Sequence, residues 1–370
     1  MKNLTPVILL FLTLSSTLKA QVQDNKQHQL LQKAVERYEK LNNKDTWTVI
    51  SLGDKTALKV NDQSPAVKVI KERLELMGDM RKSNSIFGDL RRAGAEVYTP
   101  TIVAAVKRFQ LRHGLADDGI IGPTVVKALN TPLEARIKQL QINMERLSTE
   151  TQQSTGKRIV ANIPEYKLHV YEGNQEVLSM DIVVGKTTDQ TVIFSDEMKH
   201  VVFSPYWNVP PSIIKNEILP AMKRNSRYLQ NENMEITGNE DGLPVIRQKP
   251  GAKNSLGKVK FMFPNKYNIY FHDTPSKTLF TRTSRAFSHG CIRLSQPFEL
   301  AKYLLKDQSG WTDEAIQRAM NAGSEKWVAL DKPVPVVISY NTAWVDSEGT
   351  VHFRDDIYGH DKKEMARLVE

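Results

Sequence analysis

Apolar residues recur every three or four positions in four stretches of the first 150 residues, a spacing that places them on one face of an α-helix. These stretches run over 31–41, 67–77, 102–109 and 137–147. Pro65, Pro100 and Pro132 stand at predicted helix starts, and Gly78 stands at a predicted end. The pattern predicts an N-terminal helix and scaffold segment over 28–61, a small helical bundle over 62–130 and a linker helix over 131–150.

Beyond residue 157 the apolar period shortens to two, which is typical of half-buried β-strands. The predicted strands lie at 158–163, 166–171, 177–184, 201–203, 268–271, 334–339 and 350–354. Residues 172–175 form a hairpin turn between the second and third strands. Helices at about 297–306 and 312–322 interrupt the strand pattern late.

An insertion at about 207–258 does not follow the strand pattern. Helical spacing from Pro211 to Asn225 is followed by a polar stretch, and so long an irregular segment favours a functional lid. The predicted fold class is α+β: the helical bundle precedes a mainly β domain at 157–345 that carries the inserted helical lid. A C-terminal hairpin and tail over 346–370 complete the chain.

The first twenty residues have the features of a secretory signal peptide. Lys2 precedes a short apolar run, and Ala20 stands before a polar, Gln-rich stretch. The run is too short to span the hydrocarbon core of a bilayer comfortably, although an uncleaved anchor is the alternative. We therefore expect an exported protein, located in the periplasm or cell envelope, without a stable membrane span after cleavage.

Composition narrows the functional classes. The chain has 370 residues, of which 40% are hydrophobic, so it is no disordered tail, and its length indicates about two domains. The net charge of +9 falls to +7 without residues 1–20, which suits an acidic polymer. The sequence contains no basic block with interleaved aromatic residues of the kind that would indicate nucleic-acid binding.

The cysteine and histidine residues limit the possible links and metal sites. Cys291 is the only cysteine, which excludes an intramolecular disulfide and N-terminal lipid attachment. The scattered histidines show no zinc-ligand spacing.

The segment from Ser288 to Cys291 carries the candidate chemistry. A cysteine nucleophile needs an imidazole or N–H dipoles to stabilise its thiolate. His289 precedes Cys291 by two positions, and in an extended loop side chains at that spacing lie on one side. We therefore expect His289 to be the general base and the Gly290 backbone to help form an oxyanion hole. His272, at a strand end, is expected to supply a second imidazole.

Residues 62–130 resemble the peptidoglycan-binding type 1 domain. The stretches 67–70, 105–110 and 114–124 carry the resemblance. The sequence departs from the family between Gly78 and Tyr98, where about twenty residues replace a shorter loop. The resemblance implies a domain that contacts the glycan of peptidoglycan, and the alternative is that it only braces the rest of the enzyme.

The motif that runs from His272 through fifteen residues to Ser288-His289-Gly290-Cys291-Ile292-Arg293 resembles that of the L,D-transpeptidases with the YkuD catalytic domain. The stretches 206–211, 260–265, 272–275 and 343–346 further resemble the long periplasmic subfamily typified by YcbB. The similarity extends over about residues 28–360.

The resemblance implies a two-step acyl transfer without a cofactor. Cys291 attacks the third residue of a tetrapeptide stem and expels D-alanine, and a side-chain amine of a second stem then resolves the thioester into a 3-3 crosslink. It further implies that carbapenem-type compounds acylate the thiol. The remaining site residues implied are Ser288 and Arg293, which shape the loop, Tyr270 and His272, which line the pocket, and Trp207 and Asn208, which bind substrate at the base of the lid.

Two other functions remain open on this sequence. Water in place of the amine would make the enzyme an L,D-carboxypeptidase or a hydrolase that releases protein from the wall. A non-catalytic wall-binding protein would use residues 62–130 alone, although the intact Cys291 and His289 argue against it.

Overall fold

The computed structural model describes residues 27–42, 47–81, 96–150 and 156–367, so the predicted signal peptide lies outside the described residues. The chain divides into two units. The helical unit comprises Met1–Gln152 and Asn341–Glu370, and the β unit comprises Gln153–Tyr340. The sequence places the end of the mainly β domain at 345, whereas the chain joins the helical unit from Asn341 onward.

The helical unit contains α1 (27–42), α2 (Ala66–Met77), α3 (Pro100–Arg112), α4 (Pro123–Asn130) and α5 (Leu133–Glu150), with a C-terminal helix at His360–Arg367. The four apolar stripes predict α1, α2, α3 and α5, whereas α4 and the C-terminal helix lie outside those stripes. Gly78 ends α2 in the left-handed conformation, with φ 86°, which a side chain with a Cβ rarely adopts. None of the described helices combines the length and apolar character needed to cross a bilayer.

One hydrophobic core joins the scaffold, bundle and linker segments of the helical unit. Ile70, Leu74 and Phe109 are fully buried in it, and Phe353 from the C-terminal segment packs against Tyr38 at a ring distance of 5.7 Å. The strand predicted at 350–354 does not join the sheet of the β unit. Val351–Phe353 pairs instead with Ala343–Val345 in a separate two-stranded hairpin, whose apolar side chains complete the helical core.

The β unit is built on one nine-stranded sheet in the order β10-β3-β11-β9-β8-β4-β12-β1-β2. Its strands are β1 (Lys157–Asn162), β2 (Lys167–Glu172), β3 (Gln175–Gly185), β4 (Phe194–Phe203), β8 (Val259–Met262), β9 (Phe271–His272), β10 (Ala286–Ser288), β11 (Ile292–Leu294) and β12 (Lys326–Ser339). Because β2 also pairs with β3, eight of these strands close into a ring. Most neighbours are antiparallel, but β9 and β11 run parallel.

Helices cover part of this sheet at the predicted places. They are α9 (Pro297–Leu305) and α10 (Asp313–Met320), and a short 3-10 helix lies at Lys277–Thr281. Leu300, Leu305 and Ile316 are fully buried, as are sheet residues such as Phe203 and Val336. The fold class expected from the sequence, a helical bundle followed by a mainly β domain, is confirmed.

The lid at 207–258 has its own small core and its own sheet. Its helical part is α6 (Pro211–Ile213), a π-helical turn (Ile214–Ile218), α7 (Leu219–Arg224) and α8 (Tyr228–Asn231). Its strands β5 (Trp207–Asn208), β6 (Met234–Glu240) and β7 (Leu243–Gln248) form a three-stranded sheet. The structure has the helical part that the sequence predicts between Pro211 and Asn225, and the polar stretch after it contains strands that the sequence analysis does not predict. Five of the seven positions of β6 are exposed, so the strand lacks the apolar alternation of a half-buried strand.

Candidate active site

The parallel pairing of β9 with β11 brings the distant parts of the motif together. Arg293 lies opposite His272 in the register, and the N–H of Ile292 donates to the carbonyl of Tyr270 at 3.2 Å. Side chains two residues apart in a strand share a face. Tyr270 and His272 therefore share one sheet face with Cys291 and Arg293.

A bend immediately before β11 holds Cys291, the candidate nucleophile. Gly290 adopts φ 107°, a conformation that favours glycine. The hydroxyl of Ser288 accepts a hydrogen bond from the Gly290 N–H at 3.2 Å and donates one to the Cys291 carbonyl at 2.6 Å. The Gly290 carbonyl accepts a further bond from the Thr191 hydroxyl at 2.8 Å. Three hydrogen bonds thus fix the backbone around Cys291.

The Cys291 thiol is protonated at neutral pH in this environment. Burial raises its pKa to about 11, although interactions with Tyr270 and the nearby Arg293 guanidinium act in the opposite direction. The thiol also lies 3.6 Å from the carbonyl oxygen of Asn268, a potential acceptor of its proton. A proton acceptor must therefore act when the sulfur attacks a substrate.

Tyr270 stands between the nucleophile and the lid. Burial and the neighbouring Cys291 raise the pKa of Tyr270 well above its ordinary value, while an interaction with Trp207 works against this. Trp207 belongs to β5 at the base of the lid, as the sequence predicts, whereas Asn208 is exposed opposite Arg247. Of these two lid residues, Trp207 contacts the cluster around Cys291.

His272 is a buried, neutral imidazole with a defined orientation. Its Nδ1 lies 2.5 Å from the Asp273 carbonyl oxygen, to which only a protonated Nδ1 can donate. Burial and the nearby Arg293 lower the pKa of His272 to about 3. The ring packs edge-on against Tyr270 at 5.7 Å. Its Nε2 is therefore the nitrogen with a free lone pair.

His289 contacts the lid rather than the thiol. Its Nε2 lies 2.8 Å from Oε1 of Glu217 and 3.5 Å from Nζ of Lys186, and no hydrogen bond joins it to Cys291 within the described residues. The sequence argument assumed an extended loop, in which side chains at 289 and 291 share a side. Because the backbone bends at Gly290, the segment is not extended, and the side chains of His289 and Cys291 contact different neighbours.

Arg293 and the backbone supply the remaining polar groups. Burial lowers the pKa of Arg293, and its Nε has no hydrogen-bond partner among the described residues. The Gly290 N–H, expected in an oxyanion hole, is already donated to Ser288. The N–H of Cys291 has no partner within the described ranges, so it remains available to an oxyanion.

Sequence reasoning missed Thr191, Lys186 and Glu217, which carry no motif signal because each reaches the site from another part of the fold. It also missed the Asp273 carbonyl, because a backbone oxygen has no signature in the sequence. Among the described residues, no group of three or more His, Cys, Asp or Glu side chains is arranged to hold a metal ion.

Two family models match the chain. Residues 156–338 match the L,D-transpeptidase catalytic domain, YkuD, and residues 63–129 match the model described as a putative peptidoglycan binding domain. Each match lies within one of the two structural units. Both predicted family resemblances are confirmed, and the subfamily typified by YcbB stays a prediction.

A curated relative from Haemophilus influenzae is named "Putative L,D-transpeptidase". It is 31% identical over 249 residues, which cover 63% of this chain and 50% of that protein. The chain therefore spans about half the length of the curated relative that it matches.

Solved structures show more distant similarity. An L,D-transpeptidase from Mycobacterium smegmatis is 14% identical over 50% of this chain and 58% of its own, with a TM-score of 0.26. One from Stackebrandtia nassauensis is 14% identical over 78% of this chain and 97% of its own, with a TM-score of 0.29. At this identity and TM-score, neither structure assigns a role to any residue of this chain.

Proposed function

We propose that this chain, which belongs to the L,D-transpeptidase catalytic-domain family over residues 156–338, is a cysteine-dependent acyltransferase that forms 3-3 crosslinks in peptidoglycan. The observation that carries the proposal is the cluster of Cys291, Tyr270, His272 and Arg293 on one sheet face beneath a lid. It combines a nucleophile, a proton acceptor and a cation in one place, as acyl transfer requires.

In the first step, the Cys291 sulfur attacks the carbonyl carbon of the third stem residue. We assign the thiol proton to Nε2 of His272, since its Nδ1 already points at the Asp273 carbonyl. This differs from the sequence-based assignment to His289, which contacts Glu217 instead. The imidazolium of His272 then gives the proton to the leaving amine of D-alanine.

The tetrahedral intermediate carries a negative oxygen near the bend. The free N–H of Cys291 is the backbone donor nearest to the reacting sulfur, and Arg293 adds a positive charge on the same sheet face. The acyl group then remains on Cys291 as a thioester. A side-chain amine of a second stem resolves it and restores the thiol.

Product analysis with purified tetrapeptide muropeptides tests this function. The wild-type chain should release D-alanine and accumulate crosslinked dimers, and Cys291→Ala should abolish both. Dimers that persist in the variant would contradict the proposal. Release of D-alanine with only tripeptide monomers would identify an L,D-carboxypeptidase, in which water resolves the same thioester.

We further propose that the protein is exported, that it binds the cell wall and that carbapenems acylate it. We expect residues 1–20 to be removed on export to the periplasm, and the domain at 63–129 to hold the enzyme on peptidoglycan. Cosedimentation of full-length Cys291→Ala with intact and glycan-digested sacculi tests the binding. Intact-mass analysis with a carbapenem should show one adduct on the wild type and none on the variant.

A further inference from the structure

The lid contacts the residues that flank the nucleophile on two sides. Trp207, at the lid base, interacts with the hydroxyl of Tyr270. Glu217, in the π-helical turn, places Oε1 2.8 Å from Nε2 of His289. The second contact plays no part in the acylation step described above.

The π-helical turn positions Glu217 at this place. Pro220 has no N–H to donate to the carbonyl of Asn216, so a regular α-helical ladder is interrupted there. Such wider turns are rare and concentrate at functional sites. Ile214 and Ile218 anchor the turn in the lid core, so Glu217 projects from a fixed segment.

A small group of charges surrounds His289. Glu217 approaches its Nε2, Lys186 lies 3.5 Å from the same atom, and Asp189 forms an ion pair with Lys186 at 3.1 Å. The surroundings of His289 thus contain two carboxylates and one ammonium group, and only Asp189 is paired with that ammonium, so Glu217 can attract another cation. The His289 side chain is 35% exposed, whereas His272 is only 5% exposed. Of the two imidazoles, His289 is therefore the more accessible to a molecule that arrives from solvent.

In the second half of the proposed reaction, the acceptor amine must be bound and must lose a proton before it attacks the thioester. A side-chain amine is an ammonium ion at neutral pH, with an ordinary pKa near 10.4, and it has no lone pair until a proton leaves. We propose that Glu217 and His289 form the receiving site for the acceptor ammonium, in which Glu217 attracts the cation and His289 takes one proton from it. This inference rests on the proposed function, because it concerns the molecule that resolves the thioester.

In this step the Nε2–H of His289 faces Glu217, so the ammonium gives one proton to Nδ1 of His289, and Glu217 stabilises the imidazolium that is formed. The freed nitrogen lone pair attacks the thioester carbonyl, a C–N bond forms, and the C–S electron pair returns to the Cys291 sulfur. A second N–H proton passes to that sulfur, and His289 releases its proton to solvent. The products are an amide, the thiol and one proton.

This assignment divides the two imidazoles between the half-reactions. His272 is buried on the sheet face that carries Cys291 and serves attack on the donor stem, while His289 is more exposed and serves the acceptor. Changes at Glu217 should therefore affect aminolysis and leave acylation in place.

The test measures D-alanine, crosslinked dimer and tripeptide monomer over time, with the full-length enzyme and tetrapeptide muropeptides. At pH 7, Glu217→Gln should release D-alanine near the wild-type rate but lower the dimer-to-tripeptide ratio about tenfold, as loss of a histidine's carboxylate partner does. His289→Gln should lower it about a hundredfold. Both ratios should recover as the pH approaches 10, because the amine then loses its proton unaided.

The matched control is Glu240→Gln, which removes an exposed carboxylate from the same lid. It should keep the wild-type ratio. A wild-type ratio in Glu217→Gln, a loss without recovery at high pH, or an equal loss of D-alanine release would each overturn the inference alone. Absence of D-alanine release from the wild type would overturn the proposed function, and the inference with it.

Discussion

Thr191 ties the loop of the nucleophile to the sheet through the carbonyl of Gly290. Its buried hydroxyl donates to Gly290 O at 2.8 Å and accepts the N–H of Gly185 at 2.9 Å. Gly185 ends β3, so a single side chain joins a strand of the closed sheet to the residue just before Cys291. The bend therefore keeps its shape through a contact about a hundred residues away in sequence.

Replacement of this hydroxyl should weaken both the fold and the reaction. Thr191→Val keeps the volume but removes both hydrogen bonds in a buried place, which costs about 1–3 kcal/mol. Urea unfolding followed by tryptophan fluorescence measures the loss, and D-alanine release measures the slower acylation. Thr191→Ser retains the hydroxyl and is the control. Equal stability of the wild type and the valine variant would contradict the role of Thr191.

Alkylation of Cys291 should remain slow at neutral pH. With a pKa of about 11, the rate of reaction with iodoacetamide should rise about tenfold per pH unit from 7 to 10, because only the thiolate reacts. The same cysteine in the urea-unfolded chain is the control, and its rate should level off near its ordinary pKa. A rate in the folded enzyme that is already constant above pH 7 would indicate a resting thiolate–imidazolium pair instead.

Acid should destabilise the β unit through His272. Because its pKa in the folded protein is about 3, below the ordinary 6.5, the unfolded chain binds the proton more readily. This contribution to stability is complete above pH 6.5 and is lost as the pH falls toward 3. The free energy of unfolding of the wild type should therefore fall more steeply with acid than that of His272→Gln. Parallel pH curves for the two proteins would disprove this.

The helical unit should depend on one buried ion pair. Arg112 donates to both carboxylate oxygens of Asp79 at 2.6 Å, and both side chains are almost fully buried. Asp79→Asn leaves the guanidinium without its counter-ion and should cost about 3–5 kcal/mol in urea unfolding. Glu75→Gln, which removes the helical pair with Lys71, should cost less than about 0.5 kcal/mol. Similar losses in both variants would contradict this account.

Much of this protein follows from local patterns. The stripe from Val67 to Met77 predicts α2, and the alternation at 166–171 predicts β2, because each period reports which face of one element is buried. Local patterns do not predict β6 in the lid, because most of its residues are exposed on both faces and therefore show no apolar alternation. They also fail for residues 350–354, since a short strand does not specify its partner.

The sequence by itself predicted a helical part followed by a mainly β part, the resemblance to the YkuD catalytic domain and the candidate nucleophile Cys291, because periodicity, a short motif and a lone cysteine are properties of neighbouring residues. Only the tertiary structure decided the surroundings of Cys291. His272 joins Cys291 on one sheet face through the parallel register of β9 and β11, and the turn at Gly290 directs His289 toward Glu217. Strand register and backbone bends depend on contacts between distant segments, which spacing along the chain does not encode.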